Sequence, residues 1–230
     1  MELSPLDLCK QQRSHLLLAL SNSKANHRAE FLRWYRNVYR ENICNMPGVL
    51  NLQLFQQSEV DITMGENPRL PFDYLGLIDI SVDGAIQAMP LIQDIQSLHA
   101  VEQSADVPAT WLYYPISERV GRKGDGFPPM LTLAFANGIW GQEAEFREWY
   151  ATRHIRHALN IQALVSGQCF QRTIMQFPGS LKVAFDTIAV YGQEGTSQSI
   201  IDSFKSIPAE ILHFPALDEA RFTEAVFERL

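Results

Sequence analysis

The sequence predicts an α+β protein built from two tandem βαββαβ repeats, and three observations support this prediction. An aromatic motif occurs twice, as FLRWY at 31–35 and FREWY at 146–150, and the two copies are 115 positions apart. A Phe-Asp pair opens an apolar run in each half, at 72–73 and 185–186. Other pairs keep the 115-residue separation without a gap, namely Ala19 with Ala134, Asn22 with Asn137, Tyr39 with His154, Gln53 with Gln168 and Phe55 with Phe170. The chain therefore contains an internal duplication.

The elements of the first repeat follow from apolar periodicity. A helix is predicted over 29–41, because Phe31, Trp34, Tyr35 and Val38 have the i, i+3, i+4, i+7 spacing of one helix face. Apolar alternation after the turn pair Pro47-Gly48 predicts a strand at 49–55. The remaining predicted elements are strands at 16–20, 74–80 and 111–114 and a second helix at 85–98.

The second repeat is predicted to have strands at 131–135, 164–171, 183–191 and 211–214 and helices at 143–158 and 198–206. We match Tyr114-Pro115 with Phe214-Pro215 as the ends of the two fourth strands, because each pair closes a short apolar stretch. The segment 219–230 is predicted as a short amphipathic helix, with Phe222, Val226 and Leu230 on the side that covers an open edge or a seam.

This order of elements is the ferredoxin-like motif. Two such sheets can close edge to edge into a barrel of about eight strands, whose interior holds side chains or one small ligand. We divide the chain into repeat 1 (1–118), a Gly-, Pro- and charge-rich linker (119–129) and repeat 2 (130–230) with the C-terminal helix. Because one chain supplies both halves, a monomer is predicted to be viable, and a homodimer formed through the outer surface is compatible with this.

Composition excludes several classes of function. The formal net charge of −7 argues against nucleic acid or an anionic membrane surface as the main partner. The 3 cysteines are widely spaced and form no CxxC pair, which argues against a cysteine zinc site or a disulfide framework and favours the reducing cytoplasm. The longest apolar run near the start, 16–20, is too short to cross a membrane.

The residues best suited to chemistry lie on the predicted helix of repeat 2. His154 follows Tyr150 by four positions and His157 follows His154 by three, so the three side chains lie on adjoining helix faces. Histidine suits proton transfer near neutral pH, whereas Tyr39 occupies the equivalent position of repeat 1. We predict His154 as a catalytic acid or base and Tyr150 as its catalytic partner. The alternative is structural, since a histidine near a helix end can cap carbonyls and interact with the helix dipole.

The stretch EFREWYATRHIRHAL, followed by the strand at 164–171, resembles the EthD-like group of the dimeric α+β barrel superfamily. Trp149, Tyr150 and His154 match the aromatic pair and the histidine of that group. Repeat 1 matches through Trp34, Tyr35 and Pro47-Gly48 but carries Tyr39 in place of the histidine. The resemblance implies a pocket between sheet and helices for a small hydrophobic or aromatic compound, with His154 as the acid or base.

Three functions remain open at this point. The first is a cofactor-independent enzyme of oxygenase, cyclase or isomerase type, without a metal. The second is a haem protein, because chlorite dismutase-like and dye-decolorising peroxidases also pair ferredoxin-like units, with His154, His157 or His213 as the iron ligand. The third is a non-catalytic binder.

The predicted substrate-binding residues are Tyr39, Tyr35, Trp149, His157 and His213. Asp73 and Asp186 recur in both repeats and are interpreted as structural, and His99 is given no role.

Overall fold

The computed structural model describes residues 13–63, 65, 69–105, 108–121, 128–178, 184–204 and 214–230. Repeat 1 contains the strands β1 (His15–Ser21), β2 (Val49–Gln57), β3 (Tyr74–Ile80) and β4 (Ala109–Pro115). Helix α1 of this repeat has three segments: an α-helical segment Arg28–Trp34, a π-helical turn Tyr35–Tyr39 and a second α-helical segment Arg40–Cys44. Helix α2 is Ala85–Leu98.

Repeat 2 has the same order of elements. A two-residue strand β5 (Val120–Gly121) precedes it, and its own strands are β6 (Met130–Ala136), β7 (Leu164–Arg172), β8 (Thr187–Gln193) and β9 (Thr223–Arg229). Helix α3 again contains a π-helical turn, Tyr150–His154, between the α-helical segments Glu143–Trp149 and Ile155–Ala158. Helix α4 is Ser197–Phe204, and a short 3₁₀ turn, Glu219–Arg221, leads into β9.

The strands close into an antiparallel barrel of eight. Repeat 1 has the strand order β4-β1-β3-β2 and repeat 2 the matching order β9-β6-β8-β7. The two sheets join at both edges, where β2 pairs with β9 and β4 pairs with β7. The predicted fold class, two ferredoxin-like repeats forming an intramolecular α+β barrel, is therefore confirmed.

The end of the chain differs from the prediction. The segment 219–230 was predicted to be helical, but β9 occupies most of it and pairs with β6 over Met130–Phe135. Strand β9 is the fourth strand of repeat 2, so Trp111 of β4 corresponds to Ala225, and the match of Tyr114-Pro115 with Phe214-Pro215 is wrong. Ala225 and Phe227 face the barrel interior and Val226 faces the helices, which is strand alternation.

The repeated asparagine and the Phe-Asp pair form the same structural clamp in both halves. The Asn22 side chain accepts a hydrogen bond from the Asp73 backbone N–H at 2.7 Å and donates one to the Pro71 carbonyl at 2.9 Å. In repeat 2, Asn137 accepts from the Asp186 N–H at 2.7 Å and donates to the Ala184 carbonyl at 3.0 Å. One side chain thus satisfies the backbone where the third strand of each repeat begins.

Three buried clusters hold the molecule together. One fills the barrel interior and takes side chains from both repeats. Trp111 of repeat 1 belongs to it, with its ring edge-on to Phe72 and to Phe135, each at a centroid distance of 6.1 Å. The other two clusters fill the helix–sheet layers on the outside of the barrel, one in each repeat. In the part of the chain that the structure describes, no helix has the length and apolar character needed to cross a bilayer.

Candidate functional site

The π-helical turns place an equivalent ring pair in each repeat. Tyr150 and His154 begin and end the turn in α3, and their rings stack at a centroid distance of 4.9 Å with an interplanar angle of 14°. Tyr35 and Tyr39 do the same in α1, at 4.9 Å and 20°. Such single π turns inside α-helices occur frequently at functional sites. The helix segment that carries the predicted site is therefore locally unusual in both halves.

His154 is enclosed by aromatic rings. Besides Tyr150, it contacts Trp149 at a centroid distance of 4.7 Å, and Trp149 in turn stacks on Phe214 at 4.6 Å. The His154 ring is partly buried, and its Nδ1 atom is buried without a hydrogen-bond partner among the described residues. Burial, helped by the nearby His157, lowers the pKa of His154 to about 3. The imidazole is therefore neutral at neutral pH and has one nitrogen with no bond of its own.

Tyr150 is held by backbone contacts. Its hydroxyl donates a hydrogen bond to the Ala134 carbonyl at 3.0 Å, and the Cys169 Sγ lies 3.4 Å from the Tyr150 carbonyl oxygen. Burial is the main reason that the pKa of Tyr150 is raised well above its usual range. The phenol is thus protonated and donates its hydrogen bond to the backbone of β6. This bond fixes the Tyr150 ring against the His154 ring.

The other predicted site residues do not all join this group. Tyr35 and Tyr39 belong to the helix–sheet cluster of repeat 1, whereas Trp149 and Tyr150, which contact His154, belong to that of repeat 2. The role of both tyrosines in binding a substrate stays a prediction. Trp149 does contact His154, and His157 is exposed on α3. His213 lies outside the described residues, and the last strand of repeat 2, where it was predicted, is β9 instead.

Two groups that the sequence did not single out lie in the helix–sheet layers, where His99 is buried and Glu224 is partly buried. His99 follows α2, with its ring edge-on to Tyr39 at 4.7 Å and to Trp34 at 5.1 Å, and burial lowers its pKa to about 3. Glu224 of β9 lies in the layer of repeat 2, and burial raises its pKa to about 7. Glu224 was missed because its segment was predicted to be a surface helix. His99 was missed because no spacing rule connects it with Tyr39.

The His154 layer does not fit a haem. Two cavities between described residues, of about 50 and 10 Å³, are lined by other residues than His154. Aromatic rings cover the His154 imidazole, and the layer around it is filled by side chains such as Phe146, Ile155 and Tyr191. Within the described ranges, no group of three His, Cys, Asp or Glu side chains is placed to hold a metal ion.

Comparison with solved structures finds proteins of similar fold. A candidate monooxygenase from Fusobacterium nucleatum is 8% identical, with a TM-score of 0.55 over 95% of this chain and 93% of the other. An anthrone oxidase-like protein is 7% identical, with a TM-score of 0.53 over 99% and 94%. A variant of chlorite dismutase from Candidatus Nitrospira defluvii is 9% identical, with a TM-score of 0.55 over 97% and 94%. No protein-family model and no curated protein sequence matches the chain. The chain therefore has the dimeric α+β barrel fold of monooxygenase-like and chlorite dismutase-like proteins.

Proposed function

We propose that this protein is a cofactor-independent, oxygenase-type enzyme of the EthD-like kind, which acts on a small aromatic compound at His154. One observation carries the proposal: the neutral His154 imidazole has a buried Nδ1 that lacks a partner within the described residues and is held against aromatic faces. Leaving such a nitrogen unbonded costs about 1–3 kcal/mol, which a ligand donor would recover. Trp149 and Phe214 stack on each other beside His154, so a substrate ring that displaces one of them can stack on the other.

The chemistry follows from the state of the imidazole. A substrate with an acidic ring-adjacent C–H group gives its proton to His154, and the carbanion passes electrons to O₂ as a C–O bond forms. Loss of water from the resulting hydroperoxide leaves a ketone, so that a CH₂ group and O₂ become a C=O group and H₂O. The substrate anion stabilises the imidazolium and raises its pKa during the reaction, which offsets the effect of burial. Trp149 or Phe214 must move aside for the ring to reach Nδ1.

Anthrone is a suitable probe, because it carries such a CH₂ group between aromatic rings and a related fold is described as anthrone oxidase-like. The purified protein is expected to consume O₂ and anthrone in equal amounts and to form anthraquinone. His154→Ala should reduce kcat/KM at least about a hundredfold, the usual contribution of a general base. His27→Gln is the matched control, because His27 precedes α1 without a side-chain capping bond. Equal values of kcat/KM for His154→Ala and the wild type would show that His154 is not the general base.

The pH dependence gives a second test. The profile of kcat/KM reports the pKa of the essential base in the free enzyme. Because burial lowers the pKa of His154 to about 3, kcat/KM should stay level as the pH falls from 8 towards 5. A fall centred near 6.5, the ordinary histidine value, would assign the proton transfer to another histidine. Substrate binding without turnover would instead support the non-catalytic alternative, and a Soret band in the purified protein would support the haem alternative.

A further inference from the structure

Repeat 1 contains a pair of buried polar side chains that the chemistry proposed for His154 does not use. Tyr39 ends the π-helical turn of α1, and His99 directly follows α2. Their rings meet edge-on at a centroid distance of 4.7 Å, and their exposed fractions are 0% and 3%. The Tyr39 hydroxyl and both ring nitrogens of His99 have no hydrogen-bond partner among the described residues. Two contacting side chains thus bring three unpaired hydrogen-bonding atoms into the helix–sheet layer of repeat 1.

Neighbouring aromatic rings hold this pair in place. Tyr39 stacks on Tyr35 at 4.9 Å, and Trp34 contacts Tyr39 at 5.3 Å and His99 at 5.1 Å. Trp34 is only partly buried, whereas the other three side chains are buried. The Trp34 indole therefore lies between the pair and solvent. A change of its rotamer opens a space of the size of an aromatic ring beside Tyr39 and His99.

The unpaired atoms determine which chemical group suits this space. A neutral imidazole has one N–H donor and one acceptor nitrogen, and a tyrosine hydroxyl both donates and accepts. A ligand hydroxyl can therefore donate to the acceptor nitrogen of His99 and accept from the Tyr39 hydroxyl, which removes the cost of leaving these groups unpaired. The same burial that lowers the pKa of His99 also disfavours a charged ligand.

We propose that repeat 1 has a ligand site of its own at Tyr39 and His99, which takes a small neutral aromatic alcohol of the phenol type. The ring of the ligand replaces the Trp34 indole against the neighbouring aromatic rings, and its hydroxyl pairs with His99 and Tyr39. The duplication supplies a structural counterpart, because Tyr35 and Tyr39 stack in α1 as the equivalent rings do in α3. The two ring pairs belong to different helix–sheet layers, so this site does not depend on the activity proposed for His154.

Isothermal titration calorimetry of the full chain at pH 7 tests the proposal with three probes of similar size. Phenol carries the hydroxyl, benzene lacks it, and benzoate carries a charged group in its place. The wild type should bind phenol saturably and at least about tenfold more tightly than benzene or benzoate, because the latter two leave the buried polar atoms unpaired or bring in a charge. His154→Ala should keep this binding, whereas its loss in that variant would assign phenol to repeat 2 and overturn the proposal.

Two variants identify the residues that bind phenol. Tyr39→Phe and His99→Phe each keep an aromatic ring and remove unpaired polar atoms, so both should fold, which circular dichroism checks. Each should weaken phenol binding at least about tenfold without weakening that of benzene. Tyr74→Phe is the matched control, because Tyr74 lies in the same layer and its rings in contact are Phe31 and Tyr35. The proposal is also overturned if the wild type does not bind phenol saturably, or if both variants bind it as tightly as the wild type.

Discussion

At the scale of single residues, the helix–sheet layer of repeat 1 contains buried polar atoms that have no hydrogen-bond partner among the described residues. Tyr39 of repeat 1 has a buried hydroxyl without a hydrogen-bond partner among the described residues, and both ring nitrogens of His99 likewise lack such a partner. An ideal Cβ at Gly76 would lie 3.3 Å from the Tyr35 hydroxyl and 3.6 Å from that of Tyr39, so glycine at this position leaves room for both groups. Each buried unpaired group costs about 1–3 kcal/mol. Natural sequences accept such costs mainly at functional sites.

His99 makes a prediction about acid stability. Burial lowers its pKa to about 3, below the ordinary value of 6.5 that applies in the unfolded chain. The unfolded state therefore binds a proton that the folded state does not, and this contribution to stability is complete above pH 6.5 and is lost as the pH falls towards 3. His99→Phe removes the proton uptake and keeps the contacts with the Trp34 and Tyr39 rings.

The expected result is a shallower decline of the free energy of unfolding for His99→Phe below pH 6.5, by about 1 kcal/mol per pH unit. Urea unfolding at a series of pH values measures this slope. His154 adds a similar slope and Glu224, whose pKa is raised to about 7, adds one of opposite sign, but both are present in the wild type and the variant. Parallel stability curves for the two proteins would show that His99 is not buried as a neutral ring.

At the scale of secondary-structure elements, the sequence predicted those elements whose periodicity has one interpretation. Strand β3 and helix α2 were predicted with their observed bounds, Tyr74–Ile80 and Ala85–Leu98. The segment Thr223–Arg229 has two interpretations, because Phe222 and Val226 have helical spacing while Ala225 and Phe227 alternate as in a strand. Pairing with β2 and β6 decides in favour of the strand, and such tertiary contacts cannot be inferred from local spacing.

The candidate site was predicted in part for a related reason. The contacts of His154 with Tyr150 and Trp149 were predictable because the three residues share one helix, where sequence spacing determines contact, and their functional role stays a prediction. Tyr35 and Tyr39 lie in the helix–sheet cluster of repeat 1 and not in that of His154, a separation that could not be predicted because sequence does not show which layer each repeat builds. Neither π-helical turn was predicted, because no residue pattern in α1 or α3 distinguishes such a turn from an ordinary helix.

The repeated asparagine clamp gives a prediction with an internal control. Asn137 is buried, whereas Asn22 is only partly buried; both make the two backbone hydrogen bonds of the clamp, and Asn137 adds a longer one to the Arg221 carbonyl at 3.4 Å. Asn137→Ala leaves the Asp186 N–H and the Ala184 carbonyl without this partner and should lower the free energy of unfolding by about 2–3 kcal/mol. Asn22→Ala should cost about 1 kcal/mol or less, because water can replace its bonds. Urea unfolding compares the two variants, and equal losses would mean that burial does not determine the strength of the clamp.

At the scale of the whole molecule, the duplication lets one chain close a barrel that would otherwise need two subunits. The barrel closes only because β2 meets β9 and β4 meets β7, and all four strands belong to the same chain. Both repeats also contribute to the interior, where Trp111 of repeat 1 packs between Phe72 of its own repeat and Phe135 of repeat 2.

The shared interior predicts that the protein is a viable monomer that unfolds in one step. Light scattering after size-exclusion chromatography should give the mass of one chain, about 26.1 kDa. Phe135→Ala removes an interior ring of repeat 2 and should cost about 3–5 kcal/mol. Because this ring contacts Trp111, the cost should move a single transition to lower urea for both circular dichroism and tryptophan fluorescence, rather than unfold repeat 2 alone. Two separate transitions in Phe135→Ala, or a wild-type protein that is dimeric at all concentrations, would show that the repeats do not form one cooperative unit.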